Sequence, residues 1–176
     1  MLTAETLQEI LLDLHKKDGL GCTYDFKERY YVGLNSLAFL NLVTLIKTRI
    51  PKCGDHCERY QDCPSIELFE NRKSKTKYRL TKEGANLADF LSSDSVTMDN
   101  LKSMLQKELV NYPFVDLVVS LLMDVSELSV EKLVASIQEQ TNTSLFAIRT
   151  SIRDILDLLV SIEIIGIKEG IITQYA

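Results

Sequence analysis

Apolar residues recur at helical spacing along most of the chain. Leu7, Ile10, Leu11 and Leu14 fall on one face of residues 4–17, with polar residues between them. Thr3, or Thr6 with Glu9 in its first turn, suits the start of that helix, and Gly19 and Gly21 suit its end. Residues 24–32 (YDFKERYYV) predict a short helix and Gly33 a break. Asn35 or Ser36 then caps a longer helix, LAFLNLVTLIKTR, expected to run to about Arg49 before Pro51 stops it. Short helix, turn and longer helix together read as a helix-turn-helix. Further on the period changes. Ile66, Leu68, Tyr78 and Leu80 alternate with polar neighbours, which predicts hairpin arms at 65–70 and 77–81. Thr81 caps a helix from about Lys82 to Leu91, and the Ser/Asp run at 92–95 marks a boundary.

The second half repeats this order. Residues 97–111 predict a polar helix with Leu101, Met104, Leu105 and Val110 as its apolar stripe, linking or bracing the halves. Pro113 suits the first turn of a buried helix, FVDLVVSLLMDV. Ser126 or Ser129 opens another, with Val130, Leu133, Val134 and Ile137 on one face. A long helix follows from about Leu145 to Val160, and IEIIGIKEGIITQY predicts two strands around Lys168–Gly170. The expected fold class is mainly α with small β-hairpins: two helix-turn-helix units joined by a linking helix. Their spans are 1–93, which holds a cysteine-rich insert, 94–111 for the linking helix, and 112–176.

One short motif adds a family. KYRLTKEGANLADFL, through Tyr78, Leu80, Thr81 and Gly84, resembles the end of the wing in winged-helix regulators of the MarR and PadR kind. The whole layout resembles archaeal and bacterial tandem winged-helix proteins, including ATPase-associated C-terminal regions. The resemblance implies that 1–93 and 112–176 are each a winged helix. The cysteine loop departs from the MarR and PadR pattern, so the ligands and targets of those families do not carry over.

That loop is the strongest chemical signal. Cys53, Cys57 and Cys63 follow Cys22 by a wide gap, and four thiolates suffice for a tetrahedral zinc site or a cubane iron–sulfur cluster. No C-x-x-C pair of the zinc-knuckle kind occurs, while Gly54 and Pro64 flank the loop's first and last cysteines. Cys63–Pro64 is similar to the Cys-Pro end of many iron–sulfur motifs. The cofactor expected is therefore an iron–sulfur cluster, 4Fe-4S, with zinc as the alternative and uncomplexed redox thiols behind both. His56 reads as a solvent-facing loop residue. The first residues show no cationic leader before an apolar core, so a cytoplasmic, reducing location is expected, where metal binding outranks a disulfide. Such a site has two readings: a staple for the fold, or a redox sensor.

Charge then divides the chain. Residues 1–95 hold 14 Lys and Arg against 14 Asp and Glu, whereas residues 96–176 hold 6 against 11. A nucleic-acid surface therefore belongs to the first half. Arg72, Lys73, Lys75, Lys77, Arg79 and Lys82 lie in a stretch without acid. The candidate DNA contacts are Arg72, Lys73, Lys75, Lys77 and Arg79 from the basic wing, with Ser36 and Asn41 from the expected recognition helix. No Arg precedes Arg49 in that helix to read guanine bidentately. In the second unit, Thr143, Arg149, Thr150 and Arg153 are the polar positions near the start of the long helix. Its acidity favours contact with a protein partner or a homodimer, and the apolar runs are too short to span a membrane. His15 and His56 have no convergent Ser or Asp setting, and no Gly-rich phosphate loop, H-E-x-x-H or nucleophile elbow occurs, so no enzyme is expected. The expected function is a DNA-binding transcriptional regulator with a redox-responsive metal site. The alternative is an adaptor or accessory subunit in a nucleic-acid-processing complex, and a small redox enzyme ranks third.

Overall fold

The computed structural model describes residues 1–16, 20–22, 30, 32, 34–48, 75–141 and 143–175. The fold is mainly helical with small antiparallel sheets. Helix α1 (Ala4–Lys16) buries Ala4, Leu7, Ile10, Leu11 and Leu14, and the Thr6 N–H donates to Thr3 Oγ1 at its start. Strand β1 (Leu20–Cys22) follows where the glycines predict a turn. Helix α2 (Leu34–Phe39) is short, and β2 (Val43–Thr48) comes next. The predicted helix to Arg49 is thus corrected to a helix, a turn and a strand. Asn41, at φ 57°, is the helix terminator. The Leu42 N–H donates to Leu37 O and the Asn41 N–H to Ala38 O, the paired bonds of a Schellman stop. Beyond it Val43, Thr44, Ile46 and Thr48 are β-branched and favour a pleated strand.

Strand β3 (Lys75–Leu80) pairs antiparallel with both β1 and β2, giving the order β1-β3-β2. The first hairpin's arms are therefore 43–48 and 75–80. The predicted arm at 65–70 lies outside the described residues, as do most of 24–32 and the whole of 49–74. Helix α3 (Lys82–Leu91) starts on Thr81, whose Oγ1 accepts the Gly84 N–H at 2.9 Å and donates to Asn41 O. The Thr81 N–H also donates to Leu42 O. A Cβ on Gly84 would come within 1.9 Å of that same carbonyl oxygen. The motif Tyr78, Leu80, Thr81, Gly84 is thus a clamp. Tyr78 is fully buried, and Thr81 and Gly84 fasten the start of α3 to the turn before β2.

Helix α4 (Leu101–Leu109) is shorter than predicted and turns Leu101, Leu105 and Leu109 to the core, leaving Val110 exposed. Helix α5 (Pro113–Asp124) carries Pro113 in its first turn. Strand β4 (Glu127–Ser129), helices α6 (Val130–Thr141) and α7 (Leu145–Ser161), and strands β5 (Ile165–Lys168) and β6 (Ile171–Gln174) complete the chain. The second sheet has the order β4-β6-β5. Glu169 and Gly170, both at positive φ, form its tight loop.

The two halves match in detail as well as in order. Helix α7 ends as α2 does, on a non-glycine residue at positive φ, Glu163, with Ile164 N–H donating to Leu159 O and Glu163 N–H to Val160 O. A strand begins two residues later in each case. After the third strand, Tyr175 N–H donates to Ile164 O as Thr81 N–H does to Leu42 O. The halves nevertheless share one hydrophobic core. Helix α2 packs on α7, where Ser36 Oγ donates to Asp154 Oδ2 at 2.8 Å. Phe39 meets Phe114 of α5 edge to face, with ring centres 5.0 Å apart. Helix α4 braces the second unit through Lys102–Glu163 at 3.3 Å and Gln106 Nε2 donating to Glu163 O. No helix among the described residues is long and apolar enough to cross a membrane.

Candidate metal centre and nucleic-acid interface

Strand β3 is the middle of the first sheet, and its pleat alternates Lys75, Lys77 and Arg79 with Thr76, Tyr78 and Leu80. Tyr78 is buried and Arg79 exposed, on alternate positions of that strand. The register crosses the sheet in rows: Leu20, Arg79 and Thr44 in one, then Gly21, Tyr78 and Leu45, then Cys22, Lys77 and Ile46. Thr48 and Lys75 face each other at the end of the sheet and bound residues 49–74. Both β1 and β2 run antiparallel to β3, so both head for that end. Cys22 is one strand across and two residues back from Lys75, roughly 8 Å by strand spacing and rise.

Cys53, Cys57 and Cys63 lie in 49–74, outside the described residues, as do Arg72, Lys73 and His56. Among the described residues no three His, Cys, Asp or Glu side chains form a metal-sized group. The segment that carries the other three cysteines leaves the sheet after Thr48 and re-enters it at Lys75, two residues along the register from the row of Cys22. The sequence predicts that a three-helix unit draws Cys22 and Cys53 together. Residues 43–48 pair as a strand rather than completing a third helix, and Cys53 lies outside the described residues.

Two predicted DNA contacts change character. Ser36 is corrected: it is fully buried and its hydroxyl is committed to Asp154, so it faces no groove. Asn41 is exposed but belongs to the left-handed turn after α2 rather than to a helix face, and its carbonyl accepts the Thr81 hydroxyl. Arg79 and Thr44 are exposed in one row, and Lys82 is exposed at the start of α3. In the second unit, Arg149, Thr150 and Arg153 are exposed along α7 beside Phe146, which is 75% exposed, and Lys168 is exposed at the hairpin.

Perturbed ionisations lie elsewhere. Burial pushes the Asp157 carboxyl up; the amino terminus and Arg153 pull it back, and Asp154 adds to the rise. Burial, then the charges of Glu108 and Glu83, raise Tyr112. The Glu5 carboxyl is lowered, first by a backbone N–H and then by the Thr3 hydroxyl. His15 Nε2 lies 3.4 Å from Asp89 Oδ1, on the outside of the α1–α3 contact. Sequence reasoning missed the clamp between Thr81 and Asn41 and the strand at 43–48. The available signal was an asparagine followed closely by a β-branched run. No protein-family model, curated protein or solved structure matches this chain.

Proposed function

We propose that this chain is a DNA-binding transcriptional regulator built from two winged-helix units. Cys22, Cys53, Cys57 and Cys63 hold an iron–sulfur cluster, with zinc as the alternative metal. The observation that carries this reading is the register of the first sheet. It sets Cys22 in the row of Lys77, two residues from the ends that bound the segment with the other three cysteines. A metal bound there ties β1 to that segment, and oxidation or loss of the metal releases the tie beside the basic strand. Lys75, Lys77 and Arg79 then contact phosphate rather than bases, because Ser36 is buried and bonded to Asp154 where the helix that carries it packs on α7.

Metal analysis and a visible spectrum of anaerobically purified protein test the first half of this reading. A brown protein with stoichiometric iron and sulfide is expected, and a metal-free protein that keeps its fold sinks it. DNA affinity measured against salt tests the second. Lys75→Gln with Arg79→Gln should lower the salt slope by about two. The packing of α2 on α7 favours one other reading, an adaptor that engages proteins through these units in a nucleic-acid-processing complex. A stable heteromeric complex without DNA binding at low salt decides for it.

A further inference from the structure

A cleft of about 420 Å³ opens at the seam of the two units, between α2, α5 and the start of α7. Its walls are apolar: Phe39 from the first unit, Phe114 and Leu117 from α5, and Ala147 from α7. Its hydroxyls divide sharply. At the rim, Thr141 Oγ1 donates to Ile137 O at 2.7 Å and lies 2.8 Å from Thr143 Oγ1. Deeper in, Ser151 is 1% exposed and its Oγ has no hydrogen-bond partner among the described residues. The usual local acceptor of a helical serine is the carbonyl four residues back. For Ser151 that is Ala147 O, and the bond is not made; the Thr150 hydroxyl beside it lies 3.0 Å from Phe146 O and 3.1 Å from Ala147 O. The Ser151 hydroxyl thus bears the cost of desolvation without the bond that normally offsets it.

We propose that this cleft is a binding site for a small neutral aromatic molecule carrying one hydrogen-bonding oxygen, which pairs with Ser151. The walls supply the aromatic part, since rings favour edge-to-face and offset contact with Phe39 and Phe114. Neutrality follows from the lining. No charged side chain is among the described residues that line the cleft, and burying an unpaired charge there is costly. The volume falls within the range of small-molecule sites. Because α2 forms one wall and α5 and α7 the others, an occupant touches both units. The proposal requires neither the metal nor DNA binding.

The test uses p-cresol and toluene, which differ by the hydroxyl alone, on the full chain, followed by amide shifts of α7 and by thermal unfolding. Saturable p-cresol binding in the millimolar range is expected for a ligand of this size. Toluene should bind about tenfold more weakly, the worth of one good hydrogen bond. Ser151→Ala should bring the two affinities together and be no less stable than the parent when ligand-free, because it deletes an unsatisfied hydroxyl. Ala147→Phe should abolish binding of both by filling the cleft; should it not fold, Leu117→Phe fills the same space from α5. Absence of saturable p-cresol binding overturns the proposal. So does an unchanged preference in Ser151→Ala, or binding that survives a folded cleft-filling variant.

Discussion

The two three-stranded sheets share a strand order and differ in what joins their last two strands. Glu169 and Gly170 alone connect β5 to β6, whereas residues 49–74 connect β2 to β3. The first sheet carries two devices the second lacks. One is the addition of the Thr81 hydroxyl on Asn41 O and of Gly84 against Leu42 O to the backbone bond that both sheets share. The other, by our proposal, is a metal held across β1 and the long connection. A short connection suits a unit that only needs to fold. A long one gives room for chemistry and needs fastening.

Glycine substitution should separate the sheets most. Gly84→Ala drives a Cβ into the Leu42 carbonyl, a backbone atom that cannot turn aside, and should cost more than about 3 kcal/mol. Gly166→Ala on β5 meets only the Thr173 hydroxyl, at 3.1 Å, and should stay within about 1 kcal/mol. Urea unfolding measures both, and equal losses would remove the clamp as an explanation.

Metal loss should act on one sheet. Cys57→Ser, or chelation, should speed amide exchange in β1–β3 roughly thirtyfold, the equivalent of about 2 kcal/mol, and leave β4–β6 unchanged. Uniform acceleration would mean that the site braces the shared core instead.

Next in size is the seam. Ser36→Ala removes a donor from the Asp154 carboxylate and should cost about 1.5 kcal/mol while leaving DNA affinity untouched. Arg79→Gln should do the reverse, with stability changed by less than about 0.5 kcal/mol. DNA affinity lost on Ser36→Ala at full stability would restore that helix as a reading element.

The smallest effect concerns the matched helix ends. Asparagine tolerates the left-handed turn better than glutamate, so Glu163→Asn should stabilise by less than about 1 kcal/mol, offset in part by the lost Lys102 pair. A clear destabilisation in thermal melts would show that the ion pair outweighs the backbone strain.

What the sequence determined by itself is local. The stripes of α1 and α6, the extent of α7, the proline that opens α5 and the tight loop at Glu169–Gly170 follow from spacing and turn chemistry within a few residues. The repeated order of elements and the clustering of cysteine and basic residues in the first unit were equally legible. Only the tertiary structure decided the rest. VTLIKT suits the end of an apolar helix or a strand, and its partner, residues 75–80, lies far along the chain, so pairing settles the matter and no local preference does. That pairing takes over the chain where α2 ends at Phe39, and the pairing of β1 with the same partner strand places Cys22 two residues from the open end of the sheet. The burial of Ser36 and Ser151 likewise depends on α7 meeting the first unit, a contact between distant segments that no single stretch encodes.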